Sequence, residues 1–225
     1  MYMTHAWFSI VQQISQHDQG ITLDDLPIVR HADGRAARIH HPADGVIPRL
    51  AAVLVVIHPH GNGVELLLTR RGGGLREHSG EIAFPGGRQE AGETSVDTAL
   101  REAHEELAIP ASAVNVLGTL RTIYVPRSNH LVTPVVAWCD HLPPITPNTA
   151  EVAEFFLADI DSLLHPHAIQ YETRQVHEET FVVPYYPIHT HRVWGATALM
   201  LSDLILRTRR LLLHQTSAQG TTYEQ

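Results

Sequence analysis

Cysteine is nearly absent from this chain of 225 residues, which carries a single thiol, Cys139. One cysteine excludes an internal disulfide framework and is typical of proteins from a reducing compartment. Cys139 lies in the apolar run VTPVVAWCD, a context that favours a buried structural thiol over a nucleophile. The chain length favours one domain with additions over two full domains.

Positive charge is also scarce, because 16 Lys and Arg residues face 24 Asp and Glu residues and give a net charge of −8. This balance excludes a basic nucleic-acid footprint at the level of the whole chain. No apolar run reaches the roughly 18 residues that a membrane-spanning helix needs. The N-terminus, MYMTHAWFSIVQQISQHDQG, lacks the basic and apolar regions of a signal peptide. We therefore expect a cytoplasmic protein with neither a nucleic-acid nor a membrane partner.

The 17 histidines do not replace the missing cysteines as a zinc framework. They include the short motifs HPH at 58–60 and 165–167 and HTH at 189–191. A structural zinc site needs four spaced ligands, usually with cysteine among them. We therefore interpret these histidines as surface residues.

The hydrophobic pattern predicts one mixed domain, residues 49–213, preceded by a helix and irregular segment at 1–48 and followed by a flexible tail at 214–225. Helices are predicted at 6–16, 95–107, the end of 151–164, and 194–213. Strands are predicted at 51–59, 64–70, 81–84, 114–124, 132–139, the start of 151–164, and 179–188. Prolines in the last strand indicate an edge. This irregular alternation predicts an α+β or mixed-sheet α/β sandwich.

The predicted helix 95–107 has two distinct faces. One arc is apolar and would pack on a sheet. Its residues are Val96, Ala99, Leu100, Ala103 and Leu107. The other arc brings together Glu102, Glu105 and Glu106, whose like charges repel one another. Converging carboxylates are the ligands that Mg²⁺ and Mn²⁺ prefer, although a solvated acidic face is the alternative.

The spacing around this helix resembles the signature of the Nudix family. Gly87 is followed after five residues by Glu93, and after seven more by the segment REAHEELAI, residues 101–109. This matches the pattern of Gly, five, Glu, seven, Arg-Glu, apolar, any, Glu-Glu, any, Gly, apolar at every fixed position except one. Ala108 stands where the family has glycine, and a left-handed alanine there costs about 1 kcal/mol.

The resemblance implies an α/β/α sandwich in which this segment forms a loop–helix–loop. It also implies a hydrolase that cleaves the pyrophosphate of a nucleoside diphosphate linked to another group, with Mg²⁺ or Mn²⁺ as cofactor. Glu102, Glu105 and Glu106 would be metal ligands, supported by Glu93 and the Gly87 carbonyl.

The general base is left open between two glutamates. The resemblance gives Arg101 the task of orienting a glutamate. In this fold the base comes either from the helix, as Glu102, or from a later loop, as Glu151.

The segment before the helix resembles the additional motif of coenzyme A pyrophosphatases. The positions in register are Leu67, Leu68, Thr69, Arg71, Arg76, Gly80, Phe84, Pro85, Gly86 and Gly87. Gly72 replaces the usual serine, and RVWGATALML at 192–201 resembles the family more weakly. The resemblance implies cleavage of coenzyme A, or an acyl or oxidised form, to 3′,5′-ADP and 4′-phosphopantetheine.

Three arginines beside the catalytic loop suit such an anion, namely Arg70, Arg71 and Arg76. Strand alternation turns one of Arg70 and Arg71 to solvent. The other candidate substrate contacts are Gly80, Phe84 and Gly86. The alternatives are an enzyme for ADP-ribose or dinucleotides, and a non-catalytic binding module of the same fold. A homodimer is compatible with each of these functions.

Overall fold

The computed structural model describes residues 2–37, 41–72 and 80–220, without the side chains of 2–4 and 216–220. The helices are α1 (Tyr2–Gln16), α2 (Ser95–Leu107), α3 (Ile160–Leu163) and α4 (Gly195–Gly220). The strands are β1 (Arg30–His31), β2 (Arg49–His60), β3 (Gly63–Arg71), β4 (Ile82–Ala83), β5 (Gly86–Arg88), β6 (Asn115–Thr119), β7 (Ile123–Val125), β8 (His130–Trp138), β9 (Val152–Asp159), β10 (Gln170–Val176), β11 (Glu179–Ile188) and β12 (His191–Trp194). The predicted mixed α+β class is confirmed.

Eight of these strands form one mixed sheet. Its main path runs β4-β3-β2-β8-β6, and β5, β7 and β9 pair with β2, β8 and β3 respectively. The β2–β8 pair is parallel and the other pairs are antiparallel. The remaining strands β1, β10, β11 and β12 form a smaller antiparallel sheet.

Strand β2 is buried on both faces and divides the interior into two cores. Val53, Val55 and Ile57 pack on the side of α1 and α4. The alternate residues pack on α2, through a cluster that includes Ala52, Leu54, Val56, Ala99, Ala103 and Leu107. The apolar stripe predicted for α2 is therefore confirmed. Helices cover both faces of the large sheet, which gives three layers.

The β2–β3 hairpin opens at one end, and residues 82–88 fill the gap. β2 and β3 pair with each other only near the turn, at Ile57–His60 and Gly63–Leu66. Farther out, β4 pairs with β3 and β5 pairs with β2. Close approach requires glycine here, because a Cβ on Gly86 would lie 2.4 Å from the Ala52 carbonyl oxygen. The split hairpin thus places the Gly86–Gly87 backbone beside α2.

Both ends of α2 are defined by specific residues. At its start the Thr94 hydroxyl accepts a hydrogen bond from the Asp97 N–H, and the Asp97 carboxylate accepts one from the Thr94 N–H, which forms a capping box. At its end Ala108 adopts φ 59° and ψ 28°, the left-handed conformation. The bounds of the helix agree with the sequence prediction.

The N-terminal segment and the C-terminal helix pack together on one side of the large sheet. Arg207 forms a buried ion pair with Asp203 and donates to the Ile14 carbonyl at 3.0 Å. Arg210 donates to the Gln19 carbonyl at 3.0 Å. Cations therefore stabilise the carboxyl end of α1. No helix in the described ranges is long and apolar enough to cross a membrane.

Two expectations about the C-terminal third need correction. The proline-containing strand at 179–188 is not an edge, because β11 pairs with β10 on one side and with β1 and β12 on the other. Pro184 is tolerated because it falls between the stretches that pair with β1 and β12. The helix predicted to end at 213 continues to Gly220, so residues 214–220 are helical rather than part of a tail.

We expect Ala108→Gly to raise the free energy of unfolding by about 1 kcal/mol, because glycine adopts the left-handed conformation without a Cβ penalty. Urea denaturation measures the change. The matched control is Ala111→Gly, since Ala111 is also exposed but has no positive φ. That control should lower stability, and an equal loss in both variants would contradict the strain at Ala108.

Candidate active site

A cavity of about 470 Å³ opens where the split hairpin, α2 and the start of α4 meet. The carboxylates Glu102, Glu106 and Glu151 line it, together with Gly86 and Gly87. The cavity therefore joins predicted site residues from three separate segments of the sequence, namely the strand with Gly86 and Gly87, helix α2 and the loop with Glu151.

Glu106 is the most buried of these carboxylates, with 4% of its side chain exposed. Its carboxylate accepts a hydrogen bond from the Gly86 N–H at 3.1 Å and lies 3.8 Å from an Arg71 nitrogen. Burial raises the pKa of Glu106 from 4.5 to about 7, against the opposing effects of Arg71 and Gly86. The charges of Glu102 and Glu151 contribute to this rise. Glu106 is thus poorly compensated when ionised.

The Glu102 carboxylate lies directly over Gly87 of β5. A Cβ built on Gly87 would lie 2.4 Å from its Oε1 atom, so residue 87 has to be glycine for this carboxylate to sit here. Arg101 Nη1 donates to the same oxygen at 2.9 Å. Burial raises the pKa of Glu102, and the nearby charges of Glu105 and Glu151 also raise it, while Arg101 lowers it.

Arg101 binds three glutamates at once. It donates to Glu93 at 2.7 Å and 3.1 Å, and through Nη1 to Glu102 and Glu105 at 2.9 Å and 3.1 Å. The Arg101 hydrogen bonds, with help from Glu90 and Thr98, lower the pKa of Glu93 to about 2. Glu93 therefore stays ionised and fixes the guanidinium. Arg101 contacts glutamates and does not line the cavity, and its role in orienting a glutamate stays a prediction.

Glu151 reaches the cavity from the loop before β9. The Asn148 side-chain amide donates to its carboxylate at 3.3 Å, and the Gly72 N–H donates to its backbone carbonyl at 2.6 Å. The loop is therefore attached to the end of β3. Glu102 and Glu151 both face the cavity, so the choice of general base stays open between them.

The donor set fits a hard divalent cation. No three His, Cys, Asp or Glu side chains in the described part of the chain already surround a common point. Arg101 accounts for this, because it draws Glu93, Glu102 and Glu105 towards its own guanidinium. However, buried oxygen ligands with raised pKa values, facing one cavity, are chemically suited to Mg²⁺ or Mn²⁺. Glu105 is 53% exposed and does not line the cavity, so its role as a ligand stays a prediction.

The two neighbouring arginines of β3 point in different directions, as strand alternation predicts. Arg71 lines the cavity, whereas Arg70 pairs with Glu154 at 3.2 Å. Arg76 lies outside the described residues.

Two other predicted substrate contacts are not brought to the cavity. Phe84 is a core residue with 1% exposure, because β4 leads its ring into the cluster beside α4. Gly80 is exposed and forms the turn before β4, where φ is +74°. Gly86, in contrast, does line the cavity.

Several cavity residues had no signal in the sequence as individual residues. Arg88 ends β5, Arg127 lies in the turn between β7 and β8, and both line the cavity. Trp194 and Met200 come from the segment RVWGATALML, whose resemblance to the coenzyme A pyrophosphatases had marked it only as a whole. A turn residue such as Arg127 belongs to no periodic pattern, so only the tertiary fold reveals it.

We expect Glu106→Gln to stabilise the metal-free protein at pH 8 by about 2 kcal/mol. The raised pKa means that the folded state binds a proton on Glu106 more tightly than the unfolded state does. Wild-type stability therefore falls as pH rises from about 4.5 to about 7, whereas a neutral glutamine is insensitive.

Urea denaturation with a chelator present, at pH 8 and at pH 4.5, measures this difference. The advantage of the variant should vanish at the lower pH. Glu105→Gln is the matched control on the exposed side of α2 and should show no such pH-dependent gain. Equal stabilities of wild type and Glu106→Gln at pH 8 would contradict a costly buried charge.

Solved structures with a similar chain path include a C. elegans Ap4A hydrolase in a binary complex, with a TM-score of 0.44 and 19% identity over 51% of this chain and 83% of that one. Another is the MutT protein from Methanosarcina mazei Go1, with a TM-score of 0.48 and 16% identity over 73% and 94% of the two chains.

Closer relatives exist at the level of sequence. An uncharacterized Nudix hydrolase NudL of Pectobacterium atrosepticum is 40% identical over 163 residues, which cover 71% of this chain and 82% of the relative. NudL of Yersinia pestis is 38% identical over 160 residues, or 69% and 78% of the two chains. Residues 48–184 match the NUDIX domain family. The chain therefore belongs to the Nudix hydrolase family.

Proposed function

We propose that this Nudix hydrolase cleaves the pyrophosphate of coenzyme A, or of an acyl or oxidised form, with Mg²⁺ or Mn²⁺ as cofactor. The products would be 3′,5′-ADP and 4′-phosphopantetheine. The observation that carries the proposal is that the carboxylates Glu102, Glu106 and Glu151 share one cavity with Arg71, Arg88 and Arg127. Carboxylates suit the cation, and arginines suit the phosphates.

Different residues of the cavity would bind the cation, bind the phosphates and accept a proton. Glu106 and Glu102 would hold the cation, which when bound neutralises charge that develops on the phosphoryl oxygens. The arginines would bind and orient the pyrophosphate. A water oxygen forms a bond to one phosphorus while the bond from that phosphorus to the bridging oxygen breaks. Glu151 or Glu102 would accept the proton of the water, and the second phosphate leaves with the bridging oxygen.

Support for coenzyme A in particular comes from two features. The segment 67–87 is similar to the motif of coenzyme A pyrophosphatases at ten positions, of which Leu67 is the first and Gly87 the last. The substrate also carries a 3′-phosphate besides its pyrophosphate, so an acidic protein needs local positive charge to bind it. Arg71, Arg88 and Arg127 supply that charge at the cavity.

A substrate panel tests the proposal. The protein is incubated with Mg²⁺ or Mn²⁺ and coenzyme A, acetyl-coenzyme A, ADP-ribose, NADH or deoxynucleoside triphosphates, and products are identified by mass. We expect 3′,5′-ADP from coenzyme A as the dominant product. AMP from ADP-ribose without 3′,5′-ADP from coenzyme A would instead favour the ADP-ribose alternative.

The controls of this panel separate metal chemistry from contamination and from a binding module. A chelator and the Glu106→Gln variant should each reduce turnover by at least 1,000-fold, an order of magnitude typical for the loss of an electrostatic group at a reacting phosphate. Wild-type rates in Glu106→Gln would refute the metal assignment. Complete inactivity of the wild type on the whole panel, with metal binding retained, would favour a non-catalytic module.

Two neighbouring arginines provide a matched test of phosphate binding. We expect Arg71→Met to lower kcat/KM for coenzyme A by about 100-fold, since it removes a charged contact inside the cavity. Arg70→Met removes the same charge from the surface pair with Glu154 and should change kcat/KM less than threefold. Equal losses in both variants would show that the effect is one of net charge or stability.

A further inference from the structure

Trp194 combines two features that no other residue of the cavity combines in the described part of the chain. It lines the cavity, and it carries a guanidinium on its ring, with Arg174 Cζ 4.6 Å from the ring centroid. This distance is within the range of a cation–π contact. Trp194 also sits at the junction of β12 and α4, immediately before Gly195. The backbone of Trp194 is therefore part of β12, and its indole ring contacts the guanidinium of Arg174.

Arg174 is committed to this structural role. Its guanidinium pairs with the Glu172 carboxylate, which also binds Arg192 at 3.1 Å. Arg192 in turn lies over the ring of Tyr185, with Cζ 5.4 Å from its centroid. A guanidinium that is already paired and stacked is a poor phosphate ligand. Arg174 instead packs against the ring of Trp194.

The cavity is lined by both charged and apolar side chains. The charged residues include the carboxylates of α2, which the proposed function assigns to the cation, and arginines, which it assigns to the pyrophosphate. Besides Trp194, the apolar residues include Ala196 and Met200 from α4, and Val125 and Val132 from the large sheet. A ligand that is anionic at one end and planar and apolar at the other suits this combination.

We propose that Trp194 is the stacking platform for the nucleobase of the substrate, and that Arg174 is a positioning residue that fixes the indole for this contact. The proposal rests on the proposed function in that the substrate is taken to be a nucleotide. Stacking of a base on an aromatic side chain does not depend on the identity of the base. The platform therefore sets which end of the substrate lies near α4, and the phosphates then extend towards α2.

The experiment compares two ligands that differ only in the base, AMP and ribose 5-phosphate. Neither contains a pyrophosphate, so neither is turned over by the proposed reaction. Calorimetry is carried out on the full-length wild type, Trp194→Ala and Trp194→Phe. We expect Trp194→Ala to weaken AMP binding about tenfold and Trp194→Phe about threefold, with ribose 5-phosphate affected less than twofold. Equal effects on both ligands, or no effect on AMP, would overturn the platform.

Intrinsic fluorescence provides a second readout that does not depend on affinity. The chain has three tryptophans, and the other two, Trp7 and Trp138, belong to the core beside α1. AMP should quench the emission of the wild type and of the control variant Trp7→Phe, but not that of Trp194→Phe. Unchanged quenching in Trp194→Phe would overturn the contact.

The role of Arg174 is tested by two substitutions, one that keeps the positive charge and one that removes it. Arg174→Lys keeps a cation beside the ring and should bind AMP within about twofold of wild type, whereas Arg174→Met should bind it about threefold more weakly. A merely structural role would weaken the binding of ribose 5-phosphate as much as that of AMP, so both ligands are measured in both variants. Loss of AMP affinity in both variants, or in neither, would overturn the positioning role.

Two further ligands separate this proposal from the choice of substrate. If 4′-phosphopantetheine rather than AMP is weakened by Trp194→Ala, the indole contacts the pantetheine chain and the proposal is wrong. If the wild type fails to cleave coenzyme A but still binds AMP through Trp194, the proposed substrate fails and the platform stands.

Discussion

The hydrogen bond from the Gly86 N–H to Glu106 is the contact on which the site depends. It joins α2 to β5, one of the two strands that fill the split hairpin. Gly86 has no space for a Cβ against β2, and Gly87 has none against the Glu102 carboxylate. Two glycines thus let the carboxylates of α2 lie directly on backbone beside the cavity. A larger residue would push β5 away from β2 at position 86, or displace the Glu102 carboxylate at position 87.

Carboxylates that lie this close together repel one another, and the repulsion is offset to different degrees on the two sides of α2. On the outer side of α2, Arg101 neutralises Glu93 and binds Glu102 and Glu105. On the inner side, burial raises the pKa of Glu106 to about 7, because the Gly86 N–H and the Arg71 guanidinium offset the cost of burial only in part. A group that is destabilised when ionised gains most from a cation. In the proposed cation site, this arrangement would lower the stability of the metal-free form and raise the affinity for a cation.

The sequence was informative wherever a local pattern had one physical cause. The bounds of α2 and its apolar stripe followed from the hydrophobic pattern, and strand alternation predicted that Arg70 and Arg71 point in different directions. The spacing also supplied the family. Long-range geometry was not accessible in this way. The split hairpin, the small sheet around β11 and the cavity positions of Arg127 and Trp194 depend on tertiary packing. Phe84 shows the same limit, since a position within a motif did not reveal that its ring is a core residue.

Strand β2, with both of its faces buried, also has a consequence for how such a protein changes over generations. Substitutions at its centre disturb either the support of α2 or the layer of α1 and α4, so this strand is closed to gradual adaptation. Arg127 and Trp194 border the cavity without being members of either central cluster. Substitutions at these two positions would therefore alter the lining of the cavity with less disturbance of the core than substitutions at the centre of β2.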